Sequence, residues 1–193
     1  MAGGRKVSNR RLRRLRTTLS GRHAMERLGH DLRSNRELLL LAVPRARDVP
    51  ARLQLSTRHF AAFVLWDAAK APVDELSRLA LTILASGCAY ASTWGSGCER
   101  LHDIIDECVV ALDLGLERLD SELEDRRRTD LGPDDCVMTT WHSREPLFES
   151  IDFFLSHSTP TQAFQPECGA SVLIAIGQRP QRLSRIRRHL YRS

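Results

Sequence analysis

Four apolar runs of strand-like length punctuate the chain, and three amphipathic stretches lie between them. The first run, Phe60-Ala-Ala-Phe-Val-Leu-Trp66, is apolar at every position. A strand with one wet face alternates, so an unbroken run of this length predicts a strand covered on both faces. Cys88–Trp94, Cys136–Trp141 and Ser171–Ile176 read as three more strands. Pro72, Asp74 and Glu75 open the first helix: proline suits the first turn, and acids suit the positive end of the helix dipole. Leu76, Leu79, Leu81, Ile83 and Leu84 supply its apolar face, and Gly87 stands where a capping glycine belongs. Gly95-Ser96-Gly97 turns the chain into a second helix with Leu101, Ile104, Ile105, Cys108 and Val109 at helical spacing. Ser143 to Pro146 opens the third, whose inner face is Leu147, Phe148, Ile151, Phe154 and Leu155.

Strands that alternate with helices predict a parallel sheet with helices on its faces. The expected fold class is therefore α/β: a small three-layer sandwich with a mainly parallel four-stranded sheet and right-handed crossovers. The four core strands are expected in the spatial order 2-1-3-4. Residues 36–43 read as an additional strand, a fifth near 37–43, or as a short helix. On this reading residues 1–25 form a basic arm, 26–58 a lead-in that loops through Pro44 and Pro50, 59–177 the α/β body, and 178–193 a basic helix or tail. Leu183, Ile186 and Leu190 at that end are spaced to dock a short helix on the sheet. Glu117 to Arg128 is charge-dense and reads as a solvated helix extension, followed by a turn at Gly132-Pro133-Asp134-Asp135.

A hydrophobic content of 42% and a charged content of 27% are those of a globular protein and exclude a disordered one. The longest apolar candidate, Leu38 to Val43, is far short of the roughly 18 residues a membrane span needs. With no secretory pattern behind the arginine-rich start, the expected location is the cytoplasm. The five cysteines, Cys88, Cys98, Cys108, Cys136 and Cys168, are odd in number and contain no C-x-x-C pair. That argues against a disulfide scaffold and a structural zinc site, and the expectation is reduced thiols and no metal.

Charge is unevenly spread. Residues 1–25 carry eight basic and no acidic side chains, and residues 178–193 carry six and none. Between them, 15 basic residues face all 24 acidic ones, so an acidic body carries two basic ends. Residues 5–22 contain a basic amphipathic stretch with Leu12, Leu15 and Leu19 on one helical face, a pattern that suits nucleic acid or an anionic membrane surface. No aromatic residue is interleaved there, so stacking on single strands has no support. Met25 offers a second start at which the composition turns ordinary. The arm therefore also reads as disordered, as sequence upstream of the true start, or as a segment docked on the acidic body.

The loops that leave the carboxyl ends of the strands form the natural crevice of such a sheet. Asp67 follows the first strand; Trp94, Gly95, Ser96, Gly97 and Cys98 close the second; Trp141, His142, Ser143 and Glu145 close the third. The three tryptophans, Trp66, Trp94 and Trp141, all end strands, where they either seal the sheet against a helix or line a pocket. Gly95-x-Gly97 begins a G-x-G-x-x-G fingerprint, but Arg100 holds the third glycine position, and no nucleotide cofactor is expected. The helix start at Gly97 still offers N–H groups to an anion, with Trp94, Gly95, Ser96, Gly97, Trp141 and Ser143 as the pocket. Cys98 falls in a first helical turn, where a thiol's pKa drops. With His142 as base and Asp67 or Glu145 as orienting carboxylate it has the parts of nucleophilic catalysis. It reads equally as a small core residue, and His142 as a helix cap.

The blocks Trp94-Gly95-x-x-Cys98 and Val137-Met-Thr-Thr-Trp-His142-x-x-Glu145-Pro146 resemble a family of uncharacterised bacterial α/β domains known as a domain of unknown function. The resemblance covers about residues 55 to 176 and implies the α/β fold and a bacterial source, without an activity.

These observations leave three functions open. The leading one is a small non-enzymatic interaction or ligand-binding domain that presents the strand-end crevice to a protein or small ligand. The second is a cysteine-dependent enzyme using Cys98 and His142. The third is nucleic-acid binding through the arginine-rich ends.

Overall fold

The computed structural model describes residues 25–116 and 135–191. The basic arm over residues 5–22, the charged stretch Glu117 to Arg128 and most of the turn after it lie outside the described residues. Six strands, β1 (Glu26–Asp31), β2 (Arg36–Val43), β3 (His59–Leu65), β4 (Cys88–Trp94), β5 (Met138–His142) and β6 (Cys168–Ile176), form one sheet in the order β1-β2-β6-β3-β4-β5. Only β1 runs antiparallel, in its pairing with β2; every other pairing is parallel. Four helices accompany it: α1 (Val73–Ala85), α2 (Cys98–Asp113), α3 (Leu147–His157) and α4 (Pro180–Leu190).

The unbroken apolar character of β3 has a direct structural reason. Successive side chains of a strand point to opposite faces. Phe60, Ala62 and Val64 enter one core with Leu76, Leu79 and Ile83 of α1 and Leu101 and Ile105 of α2. Ala61, Phe63 and Leu65 enter a second core with Ile151 and Phe154 of α3 and Ile186 and Leu190 of α4. The helices therefore lie on both faces of the sheet, two on each. Connection handedness explains the division. From β3 to β4 to β5 the chain steps across the sheet in one direction, so right-handed crossovers put α1 and α2 on one face. From β5 to β6 it steps back, and the same handedness puts α3 on the other.

Two features differ from the sequence expectation. The four core strands stand in the order fourth, first, second, third, not 2-1-3-4. β6 is buried at eight of its nine positions and needs a neighbour on each side, which the slot between β2 and β3 provides. β5, with Met138, Thr139, Thr140 and Trp141 all at least partly exposed, takes the outer edge. The sheet also has six strands, not four or five. Arg36–Val43 is a strand, while β1 has one buried apolar residue, Leu28, and lacks the run that announces a strand. It is held by the turn after it, where the Asp31 carboxylate accepts hydrogen bonds from the Arg33 and Ser34 amides and the Ser34 hydroxyl. Residues 26–58 thus contribute two strands to the sheet.

No helix among the described residues is long and apolar enough to cross a membrane. The C-terminal basic segment forms α4, docked through Ile186 and Leu190 as its spacing predicts.

Phe63 and Phe154 pack with ring centroids 5.4 Å apart and join the sheet to α3. Truncating Phe63 to Ala removes this contact and leaves a cavity in a fully buried site. The expected loss is about 3–5 kcal/mol of unfolding free energy, measured as a fall in the chemical-denaturation midpoint without a change in slope.

Candidate functional site

Because β3, β4 and β5 are parallel neighbours, their carboxyl ends lie side by side, and so do the loops that leave them. Hydrogen bonds tie these loops together. The Ser96 amide donates to the Asp67 carboxylate at 3.2 Å, and the Ala68 amide donates to the Ser96 carbonyl at 2.7 Å. Trp94 Nε1 donates to the Glu145 carbonyl at 2.9 Å. Asp67, the Trp94–Cys98 turn and the Trp141–Glu145 turn therefore share one neighbourhood.

The two glycines of the turn after β4 serve close approach. Gly95 has φ +120° and its α-carbon faces the Trp66 carbonyl and Asp67 Oδ1; Gly97 has φ +75°, and a Cβ there would stand 2.6 Å from the backbone of Ala69. Only glycine accepts both the backbone angle and the contact. The start of α2 is thus crossed by the Ala68–Ala71 segment, which Arg100 Nη1 also binds through the Ala71 carbonyl at 2.7 Å. At the start of α2 the Cys98 amide donates to the Gly95 carbonyl at 3.1 Å.

Cys98 is 1% exposed. Burial is the largest influence on its thiol and pushes the pKa up; the backbone amides of His142 and Glu99 draw it down to a lesser degree. The thiol is therefore protonated at neutral pH. The His142 imidazole turns to the α3 face, where it meets the edge of Phe153 at 5.0 Å between centroids, whereas Cys98 opens α2 on the opposite face. No hydrogen bond joins the thiol to the imidazole among the described residues. His142 Nδ1 is 4.0 Å from Glu145 Oε2, and its buried Nε2 has no hydrogen-bond partner. Burial lowers its pKa more than the Glu145 carboxylate raises it. Asp67 and Ser143 are exposed, and the residue that caps α3 is Pro146, not His142.

The three tryptophans divide. Trp66 is buried in the core under α1, and Trp94 seals the β4 end. Trp141 is 45% exposed on the edge strand, with its ring 4.5 Å from that of His102.

His102, Asp106 and Thr139 were not singled out from sequence, although His102 and Asp106 stand one turn apart on α2. Thr139 Oγ1 donates to Asp106 Oδ1 at 2.7 Å, which commits its one proton, and accepts from His102 Nε2 at 3.0 Å. The set fastens β5 to α2. Around the free edge of β5 runs an open groove of about 470 Å³, lined by Thr139, Thr140, Trp141 and His142 of the strand and by Glu145, Glu149, Ser150 and Phe153 of the loop and α3. Phe153 is 41% exposed. Its position outside the inward stripe of Ile151, Phe154 and Leu155 is the one sequence signal that marks it.

A family model described as a domain of unknown function (DUF7684) matches residues 39–193. No curated protein and no solved structure matches the chain.

Two measurements follow. Four cysteines, Cys88, Cys98, Cys108 and Cys168, are buried and Cys136 is exposed; burial holds Cys88 up at about 12 and raises Cys168 as well. Titration of the native protein with a disulfide reagent should therefore show one fast thiol, with the others reacting only on unfolding; fast labelling mapped to Cys98 contradicts this placement. The second concerns pH. Because His142 is harder to protonate in the folded state than in the unfolded chain, the unfolded state binds more protons below the ordinary value of about 6.5. Stability should fall as pH drops from about 6.5 through the lowered folded pKa, and His142→Asn should flatten that limb of the denaturation-midpoint profile.

Proposed function

The chain belongs to this family of domains of unknown function, and we propose that it is a non-enzymatic interaction domain whose β5 edge receives an extended, basic polypeptide segment. The supporting observation is that the outermost parallel strand carries an exposed tryptophan inside an acidic groove. β5 pairs with β4 alone among the described residues, so the backbone groups on its other side have no ladder partner. An edge of this kind is a template for strand addition. Main-chain hydrogen bonds would supply the affinity, and side chains on alternate faces the selectivity.

The groove supplies the selectivity from both faces. Thr139 and Trp141 flank it on the α2 side, and His142 and Phe153 on the α3 side. Glu145 and Glu149 line it, no lysine or arginine among the described residues does, and Asp103 and Asp106 stand behind Trp141 against His102. Lysine or arginine side chains on the incoming strand find carboxylates, and the exposed faces of Trp141 and Phe153 accept cations. A second copy of the same edge is a poor occupant, because it would bring Glu145 and Glu149 of both copies together. The buried Cys98 thiol takes no part in this reading.

The test uses ten-residue fluorescent peptides and anisotropy. An alternating Val/Arg peptide should bind, an alternating Val/Glu peptide should not, and a Val/Arg peptide interrupted by proline, which cannot complete the ladder, should bind about tenfold more weakly. Trp141→Ala should cost a similar factor, on the order of that for a buried aromatic anchor. Equal binding of the proline-interrupted peptide, or an unchanged Kd for Trp141→Ala, overturns strand addition.

A further inference from the structure

Away from the acidic groove, α4 carries exposed arginines that no carboxylate among the described residues neutralises. The helix turns Ile186 and Leu190 into the core. Arg179, Arg182, Arg185 and Arg188 are exposed, at three-residue intervals that continue from the capping residue to the last turn. At 1.5 Å of rise and about 100° of turn per residue, each step climbs about 4.5 Å and swings about 60° round the axis, so Arg182, Arg185 and Arg188 span about 9 Å and about 120° of the helix surface, and Arg179 lies outside that sector.

Other basic groups on this helix have acidic partners. Arg187 is paired with Glu26 at 2.8 Å and His189 with Asp152 at 2.8 Å. Among the described residues, no carboxylate pairs with these four arginines. Two of them lie over aromatic rings instead: the Arg182 guanidinium 5.9 Å from the centre of Trp94, and that of Arg185 5.1 Å from Phe148. Arg182 Nη1 donates to Gln178 Oε1 at 2.7 Å and Arg188 Nε to the Ser184 carbonyl at 3.4 Å; a guanidinium held in this way loses little entropy when its remaining N–H groups bind a phosphate. Phe148, Arg185, Arg188 and His189 surround an open recess of about 220 Å³.

Helix stability does not account for these arginines. Cations favour the last turn of a helix and are unfavourable in the first. Arg188 satisfies that preference, but Arg179 caps the helix start and Arg182 stands in the first turn, which has no acidic residue. The placement costs the helix something and leaves Arg182, Arg185 and Arg188 exposed along the helix without a carboxylate partner among the described residues.

We infer that the outer face of α4 binds the phosphate backbone of nucleic acid, independently of base sequence. Arg182, Arg185 and Arg188 are spread along and around the exposed side of the helix, which suits a repeating anion; a single phosphate would need them to converge. A lipid surface fits less well, because the apolar residues of α4 face inward and Tyr191 is the one exposed large apolar side chain beyond it. Each arginine that neutralises a phosphate releases counterions, which makes binding salt-dependent in proportion to the number of contacts.

The test is fluorescence anisotropy of the full chain with a labelled 20-base-pair DNA duplex across a salt series, with circular dichroism to confirm folding. Relative to the parent, Arg182→Gln/Arg185→Gln/Arg188→Gln should weaken binding at least tenfold at low salt and reduce the log–log salt slope by about 3. The charge-matched control Arg33→Gln/Arg47→Gln/Arg78→Gln should leave the slope near that of the parent. An unchanged slope in the α4 variant, an equal loss in the control, or equal retention on phosphatidylserine vesicles overturns the assignment.

Discussion

Four neighbouring strands, β2, β6, β3 and β4, have to be buried on both faces at once, and that demand organises the molecule. Each strand feeds two cores through the alternation of its side chains, so no single layer of helices is enough to cover it. Helices on both faces follow, and with them long parallel crossovers. Parallel strands bring all their carboxyl ends to one side, which is why Asp67, the Trp94–Cys98 turn and the Trp141–Glu145 turn meet. The less apolar strands, β1 and β5, are left to the margins.

How much of this was legible depended on whether the signal was local. The runs at residues 60–66, 88–94 and 171–176 announce strands because double burial keeps charged side chains out and admits only the small polar Ser92, Thr93 and Ser171, and α1, α2 and α3 show their inward faces at helical spacing. β1 was illegible: Glu26–Asp31 has a single buried apolar side chain, and its pairing depends on β2 and on the Asp31-centred turn. Strand order was equally out of reach as a local property. It is a competition among strands, settled by which of them loses least by facing solvent, and the polar content of Met138–His142 decides that only once all the strands are compared.

The site shows the same division. The strand-end loops were found from topology and residue type alone. Their internal arrangement was not, because a cysteine, a histidine and a carboxylate close in the fold need not share a face. The backbone places Cys98 at the start of α2 and turns His142 towards α3. The Gly95–Gly97 pair begins an incomplete dinucleotide fingerprint, and its two glycines let the Ala68–Ala71 segment lie across the helix start. The groove at the β5 edge joins Trp141 to Phe153, residues from separate elements. The charge on α4 was visible as composition, but only the docked helix distinguishes arginines with acidic partners from those without.

The position of β6 has a consequence for the order in which the protein is made. This strand lies between β2 and β3 at the middle of the sheet, yet it begins at Cys168 in a chain of 193 residues. While the ribosome is still elongating, the β1–β2 hairpin and the β3–β4–β5 unit exist as two halves with a vacant channel between them. Until β6 inserts, the facing edges of β2 and β3 have no strand between them, and unpaired backbone of that kind is open to the wrong partner. The last strand in chain order is thus the keystone of the sheet, and the two halves join only when it inserts.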